Sequence, residues 1–336
     1  MAGATHRGLF APLMAGWILA ACAGLPPNVE TIHFASRDAV FLDDLMAGGA
    51  TDPATSRRLI GHLLLPAQAT AKPVPAAVIL RSSGGPSALE WTMARELESA
   101  GIASLVVDSF GPRGIKHSGQ DQTRITEATI MADAFNGLAV LAKDPRIRAD
   151  RVAVIGFSKG AAVALYSATA AIAQAMSGPQ VPRFAAHLAY YPWCGLNLYE
   201  PRGSGAPILI HMGEDDDMVS PAQCAAWVAA MRQADRATPI HLLLYPRARH
   251  GFNHPPLAYM PALTLSAQNS GTCQIIETAP GVFREASTGR PISHTTYRAV
   301  LADCLGHGGM VGYQSAAAEL ANGRSLSFLR EVLLAP

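Results

Sequence analysis

The stretch Arg151-Val-Ala-Val-Ile-Gly-Phe-Ser-Lys-Gly-Ala-Ala-Val-Ala-Leu165 reads as a strand that turns at once into a helix. Arg151 to Ile155 has strand character, and an alanine-rich helical pattern follows Gly156-Phe157-Ser158-Lys159-Gly160. A turn this sharp holds its central residue in a strained backbone conformation and needs small neighbours two positions away on each side. Gly156 and Gly160 supply them. Such a turn lifts the Ser158 hydroxyl above the sheet edge and sets a helix N-terminus under any negative charge that forms there. A G-x-S-x-G string also arises by chance, so its weight comes from lying between strand and helix.

Working outward, strand and helix alternate. Strands are expected at Glu30 to Ser36, Leu59 to Leu65, Ala76 to Leu80, Ile102 to Asp108, Arg151 to Phe157, Phe184 to Tyr191, Pro207 to His211 and Ile240 to Tyr245. Helices are expected after Ser87, where Glu90 completes a capping box, over Arg124 to Ala142, from the elbow to about Met176, over Pro221 to Ala234, and over about Ala316 to Leu334. The alternation implies an α/β fold, a doubly wound and mostly parallel sheet with helices on both faces. Residues 253–312 break the rhythm. They are rich in Pro, Gly, Ser and Thr, and read as a long decorated loop at the pocket entrance.

Apolar residues make up 49% of the 336 and charged residues 15%, enough for a large core. The net charge of +1, with no basic run, gives no reason to expect a nucleic-acid partner.

Arg7 and the apolar stretch Gly8 to Ala21, too short to span a membrane, read as an export signal that ends in Leu19-Ala20-Ala21-Cys22. That string resembles the lipobox of bacterial lipoproteins. The resemblance implies a signal peptide over residues 1–21, a lipid on Cys22, a tether over 22–30 and the main domain over 31–336. With Ala23 following Cys22, it also implies an outer-membrane anchor facing the periplasm. A cleaved signal with a chance cysteine is the simpler alternative.

Cys194, Cys224, Cys273 and Cys304 remain, and in an exported chain they can form disulfides in three ways. Order along the chain favours Cys194 with Cys224 and Cys273 with Cys304. No C-x-x-C or H-x-x-x-H spacing suggests a metal.

A serine hydroxyl needs a base within hydrogen-bond reach, itself oriented by a carboxylate. In a doubly wound sheet such groups collect at the carboxyl ends of strands. One end opens into Gly213-Glu-Asp-Asp-Asp-Met-Val219, where Asp215, Asp216 and Asp217 compete. Another runs into His250-Gly251-Phe252, with His254 close behind. Backbone N–H groups of Lys159 and of the loop Ser82-Ser83-Gly84, Ser83 in particular, are placed to form an oxyanion hole. Arg113, in a loop after a strand, is a candidate for binding a substrate carboxylate or phosphate, with a salt bridge to Asp108 or another loop as the alternative.

With these residues in hand, the chain resembles the dienelactone hydrolase family of α/β-hydrolases over about residues 76 to 252. The resemblance rests on Val107-Asp-Ser-Phe-Gly-Pro-Arg-Gly114, the Gly156 to Gly160 elbow, Tyr191-Pro-Trp-Cys194, Gly213 to Pro221 with Cys224 after it, Tyr245-Pro246 and His250-Gly-Phe252. The family pattern G-x-x-D-x-x-V puts the acid at Asp216. The resemblance therefore implies Ser158 as nucleophile, His250 as base and Asp216 as its orienting acid, with a small-molecule ester as substrate and no cofactor. Two departures stand out. Dienelactone hydrolases proper use a cysteine where Ser158 stands, and Arg81-Ser82 replaces a His-Gly pair that relatives often carry. A peptidase or amidase would use the same groups, and a non-catalytic envelope binding module could keep the same pocket.

Overall fold

The computed structural model describes residues 28–46, 55–178, 182–258, 262–263 and 265–335. The expected signal peptide, Cys22 and most of the tether lie outside the described residues.

Nine strands and six helices come first in the described chain: β1 (Val29–Arg37), α1 (Leu42–Met46), β2 (Ser56–Leu64), β3 (Val74–Leu80), α2 (Ala88–Ser99), β4 (Ala103–Asp108), α3 (Glu127–Lys143), β5 (Ile147–Phe157), α4 (Lys159–Tyr166), α5 (Ala170–Met176), β6 (Ala186–Tyr190), β7 (Leu196–Asn197), β8 (Ile208–Gly213), α6 (Pro221–Ala234) and β9 (Ile240–Tyr245). Eight of these strands form one sheet in the order β1-β2-β4-β3-β5-β6-β8-β9. From β4 to β9 every pairing is parallel, and β1 and β2 add an antiparallel edge. The mostly parallel sheet is therefore as expected.

Burial explains the pattern. All seven residues of β3 and the last six of β5 are buried, as a strand covered on both faces requires. The capping box forms: Leu89 N–H donates to Ser87 Oγ, and the Glu90 carboxylate accepts the Ser87 backbone N–H at 3.0 Å.

Two differences have local causes. The helix expected to run from the elbow to Met176 breaks between Tyr166 and Ala170. There Ser167 and Thr169 turn their hydroxyls back onto the carbonyls of Ala164 and Tyr166 (2.9 and 2.8 Å), and Ser167 Oγ lies 3.1 Å from His187 Nδ1. Hydroxyls that satisfy backbone carbonyls this way compete with helix continuation.

The segment 253–312 is not only a loop. It holds a hairpin of β12 (Ile275–Ala279) and β13 (Val282–Glu285), the short strands β10 (Ala262–Leu263), β11 (Gln268–Asn269), β14 (Pro291–Ile292), β15 (Gly306–His307) and β16 (Met310–Val311), and helix α7 (Tyr297–Cys304). The hairpin turns at Pro280-Gly281, with Gly281 at φ 74°, and β12 pairs in parallel with β7. Trp193 Nε1 donates to the Cys273 carbonyl at 3.0 Å. Disulfides Cys194–Cys224 and Cys273–Cys304 form as chain order suggested, and the second closes the segment on itself. Helix α8 (Ser315–Leu333) then returns to the sheet.

Two buried histidines give the core a pH dependence. His187 on β6 has its pKa pulled down to about 4 by burial, and His211 on β8 to about 3 by burial and then by Arg324. In the unfolded chain both titrate near about 6.5. Below that value the unfolded state binds protons that the folded state cannot, so stability is full above it and falls with decreasing pH. The expected loss is up to about 1.4 kcal/mol per pH unit for each histidine, read from urea unfolding between about pH 7.5 and 5.

Candidate active site

The elbow is built by close backbone approach. A Cβ on Gly156 would come within 2.0 Å of the Gly160 carbonyl oxygen, and one on Gly160 within 2.6 Å of the Arg81 carbonyl oxygen. Only hydrogen fits at either position. Between them Ser158 takes φ 51° and ψ −113°, a region L-residues rarely occupy, and its N–H is held by the Tyr190 carbonyl at 2.9 Å.

Ser158, at the end of β5, faces two groups from the ends of β8 and β9. His250 Nε2 lies 2.9 Å from Ser158 Oγ, and His250 Nδ1 lies 2.8 Å from Asp216 Oδ2. A carboxylate oxygen can only accept here, so Nδ1 carries the proton and Nε2 is left to accept from the serine hydroxyl. Asp216 is fixed in turn by the backbone N–H groups of Met218 and Val219, both donating to Oδ1 at 3.0 Å. Its side chain is fully buried, whereas Asp215 and Asp217 are exposed. Tyr191, itself at φ 45°, sets its ring edge-on to His250 with centroids 4.7 Å apart, and its hydroxyl donates to Asn253 Oδ1 at 2.9 Å. Burial raises the pKa of that hydroxyl, which keeps it neutral beside the imidazole.

Ser158 and His250 open onto a cavity of about 400 Å³, a size that suits a small organic ligand. Ser83 and Lys159 line it together with the serine. Gly160 N–H donates to the Arg81 carbonyl at 3.1 Å, which fixes the elbow against the loop after β3. Arg81, at the departure from the family pattern, turns its side chain to Asp108 (3.1 Å) and is not among the described lining residues. His254 also lines the cavity, and burial lowers its pKa.

Arg113 is a correction. It does not line the cavity and is almost fully buried. Its guanidinium grips Asp133 on α3 with two bonds, of 2.8 and 3.0 Å, reaches Asp38 at 2.7 Å and donates to the Ser109 carbonyl. The salt-bridge alternative holds, with Asp133 and Asp38 as partners and not Asp108. Arg113→Ala is expected to leave Asp133 as an uncompensated buried charge and to cost about 3–5 kcal/mol in urea unfolding, with no selective rise in KM for anionic esters.

The decorated segment, expected at the pocket entrance, forms one side of the cavity, with Tyr297, Leu301 and Leu305 from α7 and its end and Val311 from β16. Sequence reasoning did not single out these residues. Glu127, the first residue of α3, was seen only as part of a helix. It accepts from Lys159 Nζ at 2.8 Å and from the Tyr297 hydroxyl at 2.9 Å. Nothing local in the sequence signals that contact.

Comparisons with known proteins agree with this architecture. A probable 2-oxo-3-(5-oxofuran-2-ylidene)propanoate lactonase from Bradyrhizobium sp. is 26% identical over 217 residues, covering 59% of this chain and 81% of that one. Among solved structures, a dienelactone hydrolase-like promiscuous phosphotriesterase from metagenomic libraries superposes with a TM-score of 0.52 at 16% identity, over 91% of this chain and 99% of its own. Esterase 2 of Thermogutta terrifontis, phosphorylated by paraoxon, gives 0.50 at 16% identity over 68% and 85%. At such identities the two structures speak for the fold. The model of the dienelactone hydrolase family matches residues 60–287, and with the doubly wound sheet already described, the chain belongs to the dienelactone hydrolase family of α/β-hydrolases.

Proposed function

We propose that the protein hydrolyses a carboxylic ester through an acyl-enzyme on Ser158. His250 takes the hydroxyl proton as Ser158 Oγ attacks the carbonyl carbon, and the resulting imidazolium is stabilised by Asp216. The oxyanion faces the backbone N–H groups of Lys159 and Ser83. When the tetrahedral intermediate collapses, the bond to the alcohol oxygen breaks and His250 returns the proton to that leaving group. Water, deprotonated by the same histidine, then hydrolyses the acyl-enzyme. A lactone is a cyclic ester and would follow the same steps with the alcohol still attached, as the name of the related lactonase suggests.

The observation that carries this reading is the chain of two short contacts, Ser158 Oγ to His250 Nε2 and His250 Nδ1 to Asp216, at the floor of an open cavity. Turnover of 4-nitrophenyl esters, with no comparable turnover of 4-nitroanilides, is the expected result. Equal rates on both would make the chain an amidase, and no turnover of either would favour the binding-module alternative.

Export and a lipid on Cys22 belong to the same proposal. They draw support from the two disulfides, which persist in oxidising compartments. Intact mass of the membrane-extracted protein tests them: a chain beginning at Cys22 and carrying the added mass of its acyl groups is expected, and an unmodified Met1 would exclude both.

A further inference from the structure

We infer that the Ser158 cavity takes a neutral, apolar acyl chain and rejects one ending in a carboxylate, and that Glu127 sets this preference by holding Lys159 in an ion pair. The inference rests on the reading of the site as an ester hydrolase and adds the class of ester.

Much of the wall is apolar, with Leu89, Trp193, Met218, Leu301, Leu305 and Val311 all contributing. Among the described lining residues, Lys159 alone has an ammonium or guanidinium group. Its side chain is 2% exposed, and Nζ is already held by the Glu127 carboxylate at 2.8 Å and the Gln122 carbonyl at 3.1 Å. The other Glu127 oxygen accepts from Tyr297, so α7 presses on the same pair. His254 brings no charge near neutral pH because burial lowers its pKa. The guanidinium groups of Arg81 and Arg113 are paired with Asp108 and Asp133. Behind His250 lies the Asp216 carboxylate, hydrogen-bonded to its Nδ1 at 2.8 Å.

A second carboxylate brought in by the substrate would lose its water and meet no free cation. Burying an unpaired charge in an apolar wall is costly, and the Asp216 charge adds repulsion. An alkyl chain has no charge to desolvate on entry and gains by leaving water. Because the Glu127 carboxylate, which lines the same cavity, neutralises Lys159, removing its charge turns the ammonium into a receptor for anions.

The test uses a matched pair of substrates, 4-nitrophenyl hexanoate and the 4-nitrophenyl monoester of adipic acid, which differ by a terminal methyl against a carboxylate. Wild type is expected to favour the hexanoate in kcat/KM by at least about tenfold, since a charge left unpaired costs more than the corresponding 1.4 kcal/mol. Glu127→Gln is expected to narrow that ratio by about tenfold or more, and Glu127→Asp to leave it close to wild type. Equal wild-type efficiency on the two esters, or an unchanged ratio in a folded Glu127→Gln protein, would overturn the inference. The wild-type ratio decides the preference even if the glutamine variant does not fold. Turnover of neither ester would instead count against the hydrolase reading. Calorimetric binding of hexanamide against adipamate to Ser158→Ala would then decide the charge preference separately: tighter hexanamide supports it, and equal or tighter adipamate overturns it.

Discussion

Replacing Ser158 with alanine is expected to lower kcat on 4-nitrophenyl esters by about a millionfold while the protein stays folded. On the proposed mechanism the size follows from removing the atom that would bond to the substrate, since members of a catalytic triad act as a unit and losing one forfeits most of what the unit does. The fold is retained because the elbow depends on Gly156 and Gly160, whose backbone contacts Ser158→Ala leaves alone. Steady-state kinetics beside circular dichroism check both halves. A fall of less than about a hundredfold would mean that another nucleophile does the work.

Asp216→Asn is expected to lower kcat by about ten-thousandfold. Asparagine is nearly isosteric, and its amide oxygen can keep accepting the Met218 and Val219 N–H groups that Oδ1 accepts now. The amide nitrogen then faces His250 Nδ1 and donates where the carboxylate accepted. His250 must shift its proton to Nε2, and a protonated Nε2 cannot take the proton of Ser158. The loss is therefore in kcat, with little change in KM, because Asp216 is not among the described residues that line the cavity. Asp217→Asn is the control. Asp217 is exposed and accepts the Met310 N–H, so it should leave kcat within a few-fold of wild type.

What could be read from the sequence follows physical range. The elbow is legible because backbone crowding leaves only glycine at positions 156 and 160, which marks the string itself even though the carbonyl that crowds Gly160 belongs to Arg81, just past the end of another strand. The Ser87–Glu90 capping box is legible because its partners lie three residues apart, and the buried strands β3 and β5 show as unbroken apolar runs. Choosing Asp216 from three neighbours needed the family pattern, since burial is what separates it from Asp215 and Asp217 and burial is set by the rest of the fold.

Contacts between distant elements left no local mark. Tyr297 meets Glu127 from 170 residues away, and Arg113 finds Asp38 at a separation of 75. A loop arginine on the catalytic side looked available to substrate because its buried partner, Asp133, sits unannounced in the middle of α3. The extra segment was read as a loop because its strands are two to five residues long. Its one clear signal is Pro280-Gly281 between short runs of alternating burial.

The most direct test of the central claim, that His250 activates Ser158, is labelling with a fluorophosphonate probe followed by peptide mass spectrometry on wild type, Ser158→Ala and His250→Ala. Such a probe bonds only to a serine made nucleophilic by a working base and stabilised by an oxyanion hole. The account predicts one adduct, on Ser158 in wild type, absent from Ser158→Ala and reduced at least a hundredfold in rate in His250→Ala. No adduct on folded wild type, or equal labelling of Ser158 without His250, would contradict it.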